Sequence, residues 1–214
     1  MNLSTIPYSQ YEALLPQSGN WVVGQEIEND LIVYQAFRPE IADYAINNQK
    51  FGGTHYSFSR MTWIKPNFLW MMYRAGWATK VGQERILAIR MTKSGFTEFL
   101  KTGVYSSFQK DKYENHEHWK SELGNSQVRI QWDPDHDPHG NKLNRRAIQI
   151  GIKGEKVARF NEEYIQEITD ISDFVQKQYQ ILMKDFSSLL VMKESVIELN
   201  SALREKYSID NSPN

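Results

Sequence analysis

The chain has 214 residues, of which 40% are hydrophobic and 24% are charged. These proportions are those of a globular protein, and the length suffices for one domain with a substantial core, so they argue against a disordered or fibrous chain. Lysine and arginine number 25 against 26 acidic residues, so bulk charge argues against extended nucleic acid as a partner.

The absence of cysteine excludes disulfides, thiolate zinc sites and cysteine nucleophiles, and it suits a reducing compartment. The N-terminus lacks the basic and apolar regions of a signal peptide, and no run reaches the roughly 20 apolar residues of a membrane span. We therefore expect a cytoplasmic protein without a membrane partner.

The first quarter of the chain predicts an arm, a strand and a helix. Residues 1–20 are rich in turn residues and are expected to lie as an N-terminal arm on the domain. The apolar run LIVYQAF (31–37) predicts a buried strand. Pro39 favours the first turn of a helix, which the glycine pair Gly52-Gly53 is expected to stop.

The central part predicts a second helix and a second core strand. The helix opens at Pro66 with PNFLWMMYRAG, is apolar almost all round and ends at Gly76, a residue type common after helices. The run ERILAIRM (84–91) predicts the strand, and residues 96–108 are weakly helical.

The last third predicts a hairpin and two helices. Residues 128–132 and 146–152 alternate as half-buried strands joined by a polar loop. A helix is expected after Ser172, and a separate amphipathic helix over 188–206. The apolar stripe of that last helix must cover either the domain or a second subunit, which leaves a homodimer open.

These elements together predict an α+β protein. We expect a single domain over residues 21–187, with a central, mainly antiparallel sheet and flanking helices. Residues 188–214 are expected to form a C-terminal amphipathic helix and tail.

The segment from 51 to 85 is the densest mixture of aromatic and polar residues in the chain. Trp63, Trp70 and Trp77 are spaced by seven residues and are either packed core or stacking surfaces. Cations within an apolar stretch need an anionic partner or a cleft, so some of this set are expected to bind an anion: Arg60, Lys65, Arg74 and Lys80.

Two further features of this region have a structural and a functional interpretation. Gly53 either ends a helix or lets a ligand approach the backbone, and His55 is either a base or an ordinary polar residue. The loop acids after Trp132 resemble a calcium loop, but Pro138 and Asn144 replace its glycine and closing glutamate. We therefore predict no metal site.

Several long motifs are similar to the bacterial and fungal family known as domain of unknown function 4291. The resemblance covers about residues 20–185 and implies no activity. The segment beyond about 188 departs from the family pattern. The motifs are VYQAFRPEIADYA, RMTWIKPNFLWMMYRAGW, GQERILAI, VRIQWDPD and RRAIQIG.

The order Arg38, Ser59, Glu84 also resembles the triad of ADP-ribosyltransferases. The resemblance implies that Arg38 binds the NAD phosphates or ribose, that Ser59 braces the nicotinamide pocket, and that Glu84 polarises a ribose hydroxyl. Bidentate arginine binding and a carboxylate beside an oxocarbenium-like transition state suit that chemistry.

Two other functions stay open. In a noncatalytic nucleotide or nucleic-acid binding module, Trp63, Tyr73 and Trp77 would stack bases while the cations meet phosphates. In a structural or interaction protein, the aromatic residues would all be core. The sequence most favours a small phosphate-bearing nucleotide as ligand, with NAD as the specific candidate.

Overall fold

The computed structural model of the protein describes residues 1–210, so the end of the expected C-terminal tail, 211–214, lies outside the described residues. The strands are β1 (Thr5–Pro7), β2 (Gly19–Asn20), β3 (Val23–Gly24), β4 (Glu26–Ile27), β5 (Asp30–Phe37), β6 (Thr62–Ile64), β7 (Arg85–Thr92), β8 (Val104–Tyr105), β9 (Val128–His136), β10 (Lys142–Ile152), β11 (Ile165–Asp170), β12 (Leu190–Met192) and β13 (Ser195–Val196). The helices are α1 (Tyr8–Ala13), α2 (Pro39–Asn48), α3 (Phe68–Ala75), α4 (Lys93–Thr102), α5 (His116–Asn125), α6 (Glu155–Arg159), α7 (Ser172–Lys184) and α8 (Ser201–Tyr207).

Two larger sheets organise these elements. The β7 sheet has the order β11-β7-β5-β4, with every neighbouring pair antiparallel. The β10 sheet has the order β2-β10-β9-β8, with β6 also paired to β10; β9 and β6 run antiparallel to β10, and two short edge strands are parallel to their neighbours. The expected α+β fold with mainly antiparallel sheet is confirmed.

The β7 sheet is buried on both faces, which explains the continuous apolar runs of its two central strands. Alternate residues of β5, Leu31 and Val33, pack into a core with α4 and the β10 sheet. Their neighbours Ile32 and Tyr34 pack into a second core with α1, α3 and α7. Strands buried on both faces lose the usual alternation of polar and apolar residues.

Strand β6 joins the two sheets. Its residues pair with β10, with Ile64 opposite Ile150. The next residue, Lys65, forms a bridge to Tyr34 of β5. The chain therefore passes from one sheet to the other at Lys65, and the sheets separate beside this point.

The C-terminal segment does not form the helix expected over 188–206. Strand β12 pairs with β1 and β13 pairs with β3, so only α8 is helical there, apart from a 3₁₀ turn that ends at residue 188. The stripe residues Leu189, Ile197 and Leu203 are buried in the cores of the chain itself. Their burial removes the sequence argument for a homodimer through this segment.

Smaller differences from the sequence expectations concern how helices begin and end. Helix α2 ends before the glycine pair, because Gln49 adopts the left-handed conformation with φ of 54°. The cap position of α7 is Ile171 rather than Ser172, whose hydroxyl instead donates to Asp170 and accepts from the Ile86 amide. Within residues 1–210, no helix combines the length and apolar character needed to cross a membrane.

Candidate functional site

A cavity of about 450 Å³ opens where the two sheets separate, beside α3. Its volume lies within the range of small-molecule sites, roughly 300–1,000 Å³. Its apolar walls include Trp63, Trp70 and Phe37. Most of its polar side chains come from β5, the β6–α3 segment, β9 and β10, and they are Gln35, Lys65, Arg74, Gln131, Asp133 and Gln149.

Lys65 is the unusual residue of this lining, because it is a lysine with only 5% of its surface exposed. Among residues 1–210 its ammonium has no carboxylate within 4.0 Å, and its one hydrogen bond reaches the Trp63 carbonyl oxygen at 3.5 Å. Burial and the positive charge of Arg74 lower the pKa of Lys65 to about 8, while Asp133 opposes them. A buried cation without a close counter-ion is costly, and it marks a site where an anion would be stabilised.

Asp133 is the carboxylate of the cavity, and two glutamines hold it in place. Its Oδ1 accepts a hydrogen bond from Gln131 Nε2 at 3.0 Å, and its Oδ2 accepts one from Gln149 Nε2 at 2.7 Å. The β9–β10 register places Gln131 directly opposite Gln149. With Lys65 and Arg74 against one carboxylate, the lining carries a formal excess of one positive charge.

Two residues of the lining contain buried polar atoms whose hydrogen-bonding capacity is unused within the described chain. Gln35 donates from Nε2 to Thr62 Oγ1 at 2.6 Å and to the Trp63 carbonyl, but its Oε1 accepts no hydrogen bond. The indole nitrogen of Trp70 likewise lacks a partner. Buried polar atoms in native proteins are usually satisfied, so water or ligand atoms are expected beside them.

A second cavity of about 430 Å³ lies near β8, β9 and the C-terminal end of α8, but its cations are already used. Lys112 donates to the Glu205 carbonyl at 2.7 Å, and Arg146 donates to the Trp132 carbonyl at 2.7 Å. Arg146 is exposed and Lys112 is only partly buried, so neither is a fully buried charge that calls for an anion. The cavity at Lys65 is therefore the stronger candidate.

Of the residues selected from the sequence, Lys65, Arg74 and Trp63 line the cavity, whereas the triad residues do not. Arg38 is exposed, with Nη2 at 3.1 Å from His55 Nδ1 and Nε at 3.7 Å from Glu40. The Ser59 hydroxyl lies 2.9 Å from that of Ser57.

Glu84 lies at the start of β7, outside the cavity lining. Its Oε1 accepts a hydrogen bond from the Gly82 amide at 2.8 Å, and its Oε2 is buried without a partner in the described part of the chain. The last β5–β7 pair joins Phe37 to Arg85, so the residues one step beyond the ladder are Arg38 and Glu84. Arg38 follows Phe37 and Glu84 follows Gln83 in the chain, and Phe37 and Gln83 both line the cavity.

The remaining selected residues have structural positions. Gly53 has φ of 75°, and a Cβ there would lie 2.7 Å from the Tyr44 ring, so its conformation and packing both require glycine. His55 and Arg60 are exposed, as is Lys80, whose ammonium donates to the Arg74 carbonyl at 2.7 Å.

The aromatic residues divide between core and cavity. Trp77 is buried and donates from its indole nitrogen to the Pro138 carbonyl at 3.1 Å, so the stacking role considered for it is wrong. Tyr73 is half-exposed but stacks on His136 with ring centroids 3.5 Å apart. Trp63 is the partly exposed aromatic ring that remains available to a ligand in this region.

The sequence pattern does not single out the polar lining that comes from β5, β9 and β10. The sequence pattern places Asp133 in the polar loop after residue 132, but β9 continues to His136 and carries Asp133 on a strand. Polar residues alternating on paired strands, as in Gln131, Asp133 and Gln149, are the signal that indicates a polar face. Within residues 1–210, no group of three or more acidic or histidine side chains is arranged to hold a metal ion.

Comparison with known proteins gives the family but no activity. No curated protein matches the chain. A family model matches residues 22–197, which includes the segment from β5 to α3 and the β9–β10 hairpin that line the cavity. The match spans most of the chain, and the protein belongs to the family described as domain of unknown function 4291.

Proposed function

We propose that the cavity between the two sheets binds a small phosphate-bearing nucleotide, with an NAD-like dinucleotide as the first candidate. The observation that carries this proposal is the buried ammonium of Lys65, which faces a cavity and lacks a carboxylate within 4.0 Å in the described chain. A phosphate would supply the missing negative charge, and Arg74 would add a planar group suited to bidentate binding.

The rest of the lining favours a nucleotide over an inorganic anion. Trp63 offers a ring for stacking a base, an interaction worth about 1–3 kcal/mol per base. The side-chain amides of Gln35, Gln131 and Gln149 supply both donors and acceptors for a base or a ribose. The cavity volume and the formal charge of the whole chain, −1, favour a small ligand over extended nucleic acid.

The proposal is tested by calorimetric titration of the protein with NAD, ADP-ribose, AMP and inorganic phosphate. Lys65→Met is expected to lower the affinity for every phosphate-bearing ligand at least tenfold, because the buried charge is lost. Trp63→Ala is expected to lower the affinity for the nucleotides and to leave the affinity for inorganic phosphate unchanged. Lys177→Met, an exposed lysine on α7, is the matched control and should bind as the wild type does.

Nucleotide binding that is equally strong in Lys65→Met and in the wild type would contradict the proposal. Melting temperatures of the free variants, measured alongside, show whether each variant is folded. A ligand that binds the native state raises this temperature as its concentration increases.

A second candidate is ADP-ribosyl transfer from NAD by Arg38, Ser59 and Glu84. The observation that favours it is the β5–β7 register, which ends at Phe37 opposite Arg85, so that Arg38 and Glu84 are the next residues beyond the paired strands. Its test is nicotinamide release from NAD, expected to be lost in Glu84→Gln and in Arg38→Ala. Binding of NAD without release, in the presence of acceptor proteins, would leave the protein as a noncatalytic binding module.

We also propose a cytoplasmic location, which the lack of cysteine supports. Both NAD and free nucleotides are abundant in that compartment. Fractionation of cells that produce the protein tests this proposal, and recovery from an extracytoplasmic fraction would contradict it.

A further inference from the structure

The surroundings of Lys65 suit a chemical role as well as a binding role. We propose that the Lys65 amine is a nucleophile that forms an imine with the aldehyde carbon of a phosphorylated sugar held in this cavity. This inference rests on the proposed function, because the phosphate is what places the sugar beside the lysine. ADP-ribose fits this class, since its terminal ribose opens to an aldehyde and its diphosphate is the anionic group.

The position of Lys65 is fixed by the backbone. Its amide and carbonyl pair with Tyr34, and β6 immediately before it pairs with β10. Its side chain is almost fully buried, yet it lines a cavity large enough for a sugar phosphate. A nucleophile held in place at the wall of a cavity reacts with a bound electrophile far faster than a mobile surface amine does.

Burial and the charge of Arg74 favour the neutral, nucleophilic amine of Lys65, against the opposing charge of Asp133. Arg74 of α3 and Asp133 of β9 are the charged groups that act on it, and Gln35 of β5, which lines the same cavity, is neutral. Burial and Arg74 together lower the pKa of Lys65 to about 8. At pH 7.4 the neutral fraction is then roughly two hundred times that of an ordinary lysine. A desolvated lysine beside another cation is a known way to activate an amine.

The reaction is balanced without an oxidant or a further reactant. The nitrogen lone pair of Lys65 forms a bond to the aldehyde carbon while the carbonyl electron pair moves to oxygen. A proton passes from nitrogen to that oxygen, and the resulting neutral carbinolamine loses water to give a neutral imine, which takes up one proton from solvent to become the protonated imine. Asp133, held by Gln131 and Gln149, is the lining carboxylate that can carry these protons.

The other residues of the lining suit a phosphorylated sugar. Arg74 can bind the phosphate directly. Lys65 in its protonated form attracts the phosphate, and in its neutral form it attacks the carbonyl carbon. The Gln35 Oε1 atom accepts no hydrogen bond in the described chain, so its capacity to accept one from a sugar hydroxyl is unused. The amide groups of Gln131 and Gln149 lie on the same polar face.

Reductive trapping tests the inference. The protein is incubated at pH 7.5 with ADP-ribose, ribose 5-phosphate or ribose, each with sodium cyanoborohydride, and the modified lysines are mapped by peptide mass spectrometry. We expect Lys65 to be modified at least tenfold faster than exposed Lys177 and Lys110, and at least tenfold faster by the two phosphorylated sugars than by ribose. In Lys65→Arg the fast-forming adduct should be absent.

The outcomes separate this inference from the proposed function. Binding is measured by calorimetry on the same ligands without the reductant. If ADP-ribose binds but modifies Lys65 no faster than the surface lysines, the inference is wrong and the binding proposal stands. If Lys65 is modified equally by ribose and its phosphate, the phosphorylated-sugar class is wrong. If nothing binds and no adduct forms, both proposals fail.

Discussion

The backbones of Tyr34 and Lys65 are joined by two hydrogen bonds, from the Tyr34 amide to the Lys65 carbonyl at 2.7 Å and from the Lys65 amide to the Tyr34 carbonyl at 3.3 Å. Tyr34 belongs to β5 of the β7 sheet, and the residues before Lys65 belong to the β10 sheet. In the described part of the chain, the bridge at Lys65 is the only isolated bridge between strands. The residue that connects the two sheets therefore also supplies the buried amine of the cavity. This placement has consequences for stability that can be measured without knowing the ligand.

Replacement of Lys65 by methionine is expected to stabilise the free protein at neutral pH. The pKa of Lys65 is about 8 in the folded chain and near 10.5 when unfolded, so at pH 7 the folded state carries an unfavourable charge, worth at most about 3 kcal/mol. Between pH 8 and 10.5 the unfolded chain binds more protons, so wild-type stability rises with pH. The advantage of Lys65→Met should therefore be largest below pH 8 and shrink toward pH 10.5.

Urea denaturation of the wild type and Lys65→Met at pH 7 and pH 10 measures this difference. Methionine keeps the apolar stem of the side chain, which limits the loss of packing. Lys177→Met is the control and should show no pH-dependent difference. The measured quantity is the free energy of unfolding of Lys65→Met minus that of the wild type. If this difference were smaller at pH 7 than at pH 10, the result would contradict the burial of an unpaired ammonium.

Two substitutions in the lining are expected to move the pKa of Lys65 in opposite directions. Arg74→Gln removes a positive charge that disfavours the ammonium, so the pKa should rise. Asp133→Asn removes the negative charge that favours it, so the pKa should fall. The rate of acetylation of Lys65 by acetic anhydride, followed against pH by mass spectrometry, gives each value. Lys177 in the same samples provides the reference, and shifts of the same sign in both variants would refute this account.

The two central strands of the β7 sheet, β5 and β7, could be predicted from the sequence because they are buried on both faces. The runs at 31–37 and 84–91 contain the uninterrupted apolar stretches 31–34 and 86–89, and such stretches are recognisable from composition and length. Lys65 was selected for a related reason, since a cation inside an apolar stretch needs an anion or a cleft. The partner residues on β9 and β10 could not be selected in this way, because their proximity to Lys65 depends on how the two sheets meet.

The segment after residue 188 shows where local pattern is insufficient. Its apolar spacing fits a helix, but Leu190–Met192 and Ser195–Val196 pair with strands more than 170 residues earlier in the chain. Between these strands, Glu194 accepts hydrogen bonds from the Tyr11 hydroxyl and the Phe68 amide, each at 2.7 Å. Tertiary pairing and a buried carboxylate at the start of α3 therefore outweigh helical propensity here.

Glu194→Gln is expected to stabilise the protein increasingly as pH rises from 4.5 to 8. Burial raises the pKa of Glu194 to about 8, although the hydrogen bonds from Tyr11 and Phe68 and the charge of Arg145 oppose this. The folded chain then holds more protons than the unfolded chain between these values, so wild-type stability falls with pH. The loss of wild-type stability between pH 4.5 and pH 8 is at most about 5 kcal/mol.

Denaturation of the Glu194→Gln variant at pH 5 and pH 8.5 tests this expectation. Glutamine keeps the shape and the acceptor oxygen of the side chain. Glu198→Gln is the control, because 85% of that side chain is exposed and the substitution should change stability by under about 0.5 kcal/mol. A gain at pH 5 equal to the gain at pH 8.5 would show that Glu194 is not held protonated.

Gly95 and Gly124 are both helical glycines, yet alanine should have opposite effects at the two positions. In α4, a Cβ on Gly95 would lie 2.3 Å from the Tyr164 ring, which a hydrogen bond to Glu98 and an edge contact with Phe99 hold in place. Overpacking of this kind destabilises by about 1–3 kcal/mol. In α5, a Cβ on Gly124 would meet nothing within 4 Å, so Gly124→Ala should stabilise the helix by up to about 1 kcal/mol. Thermal denaturation of the two variants beside the wild type measures both effects, and a melting temperature that rises in Gly95→Ala would mean that α4 and Tyr164 are not packed this closely.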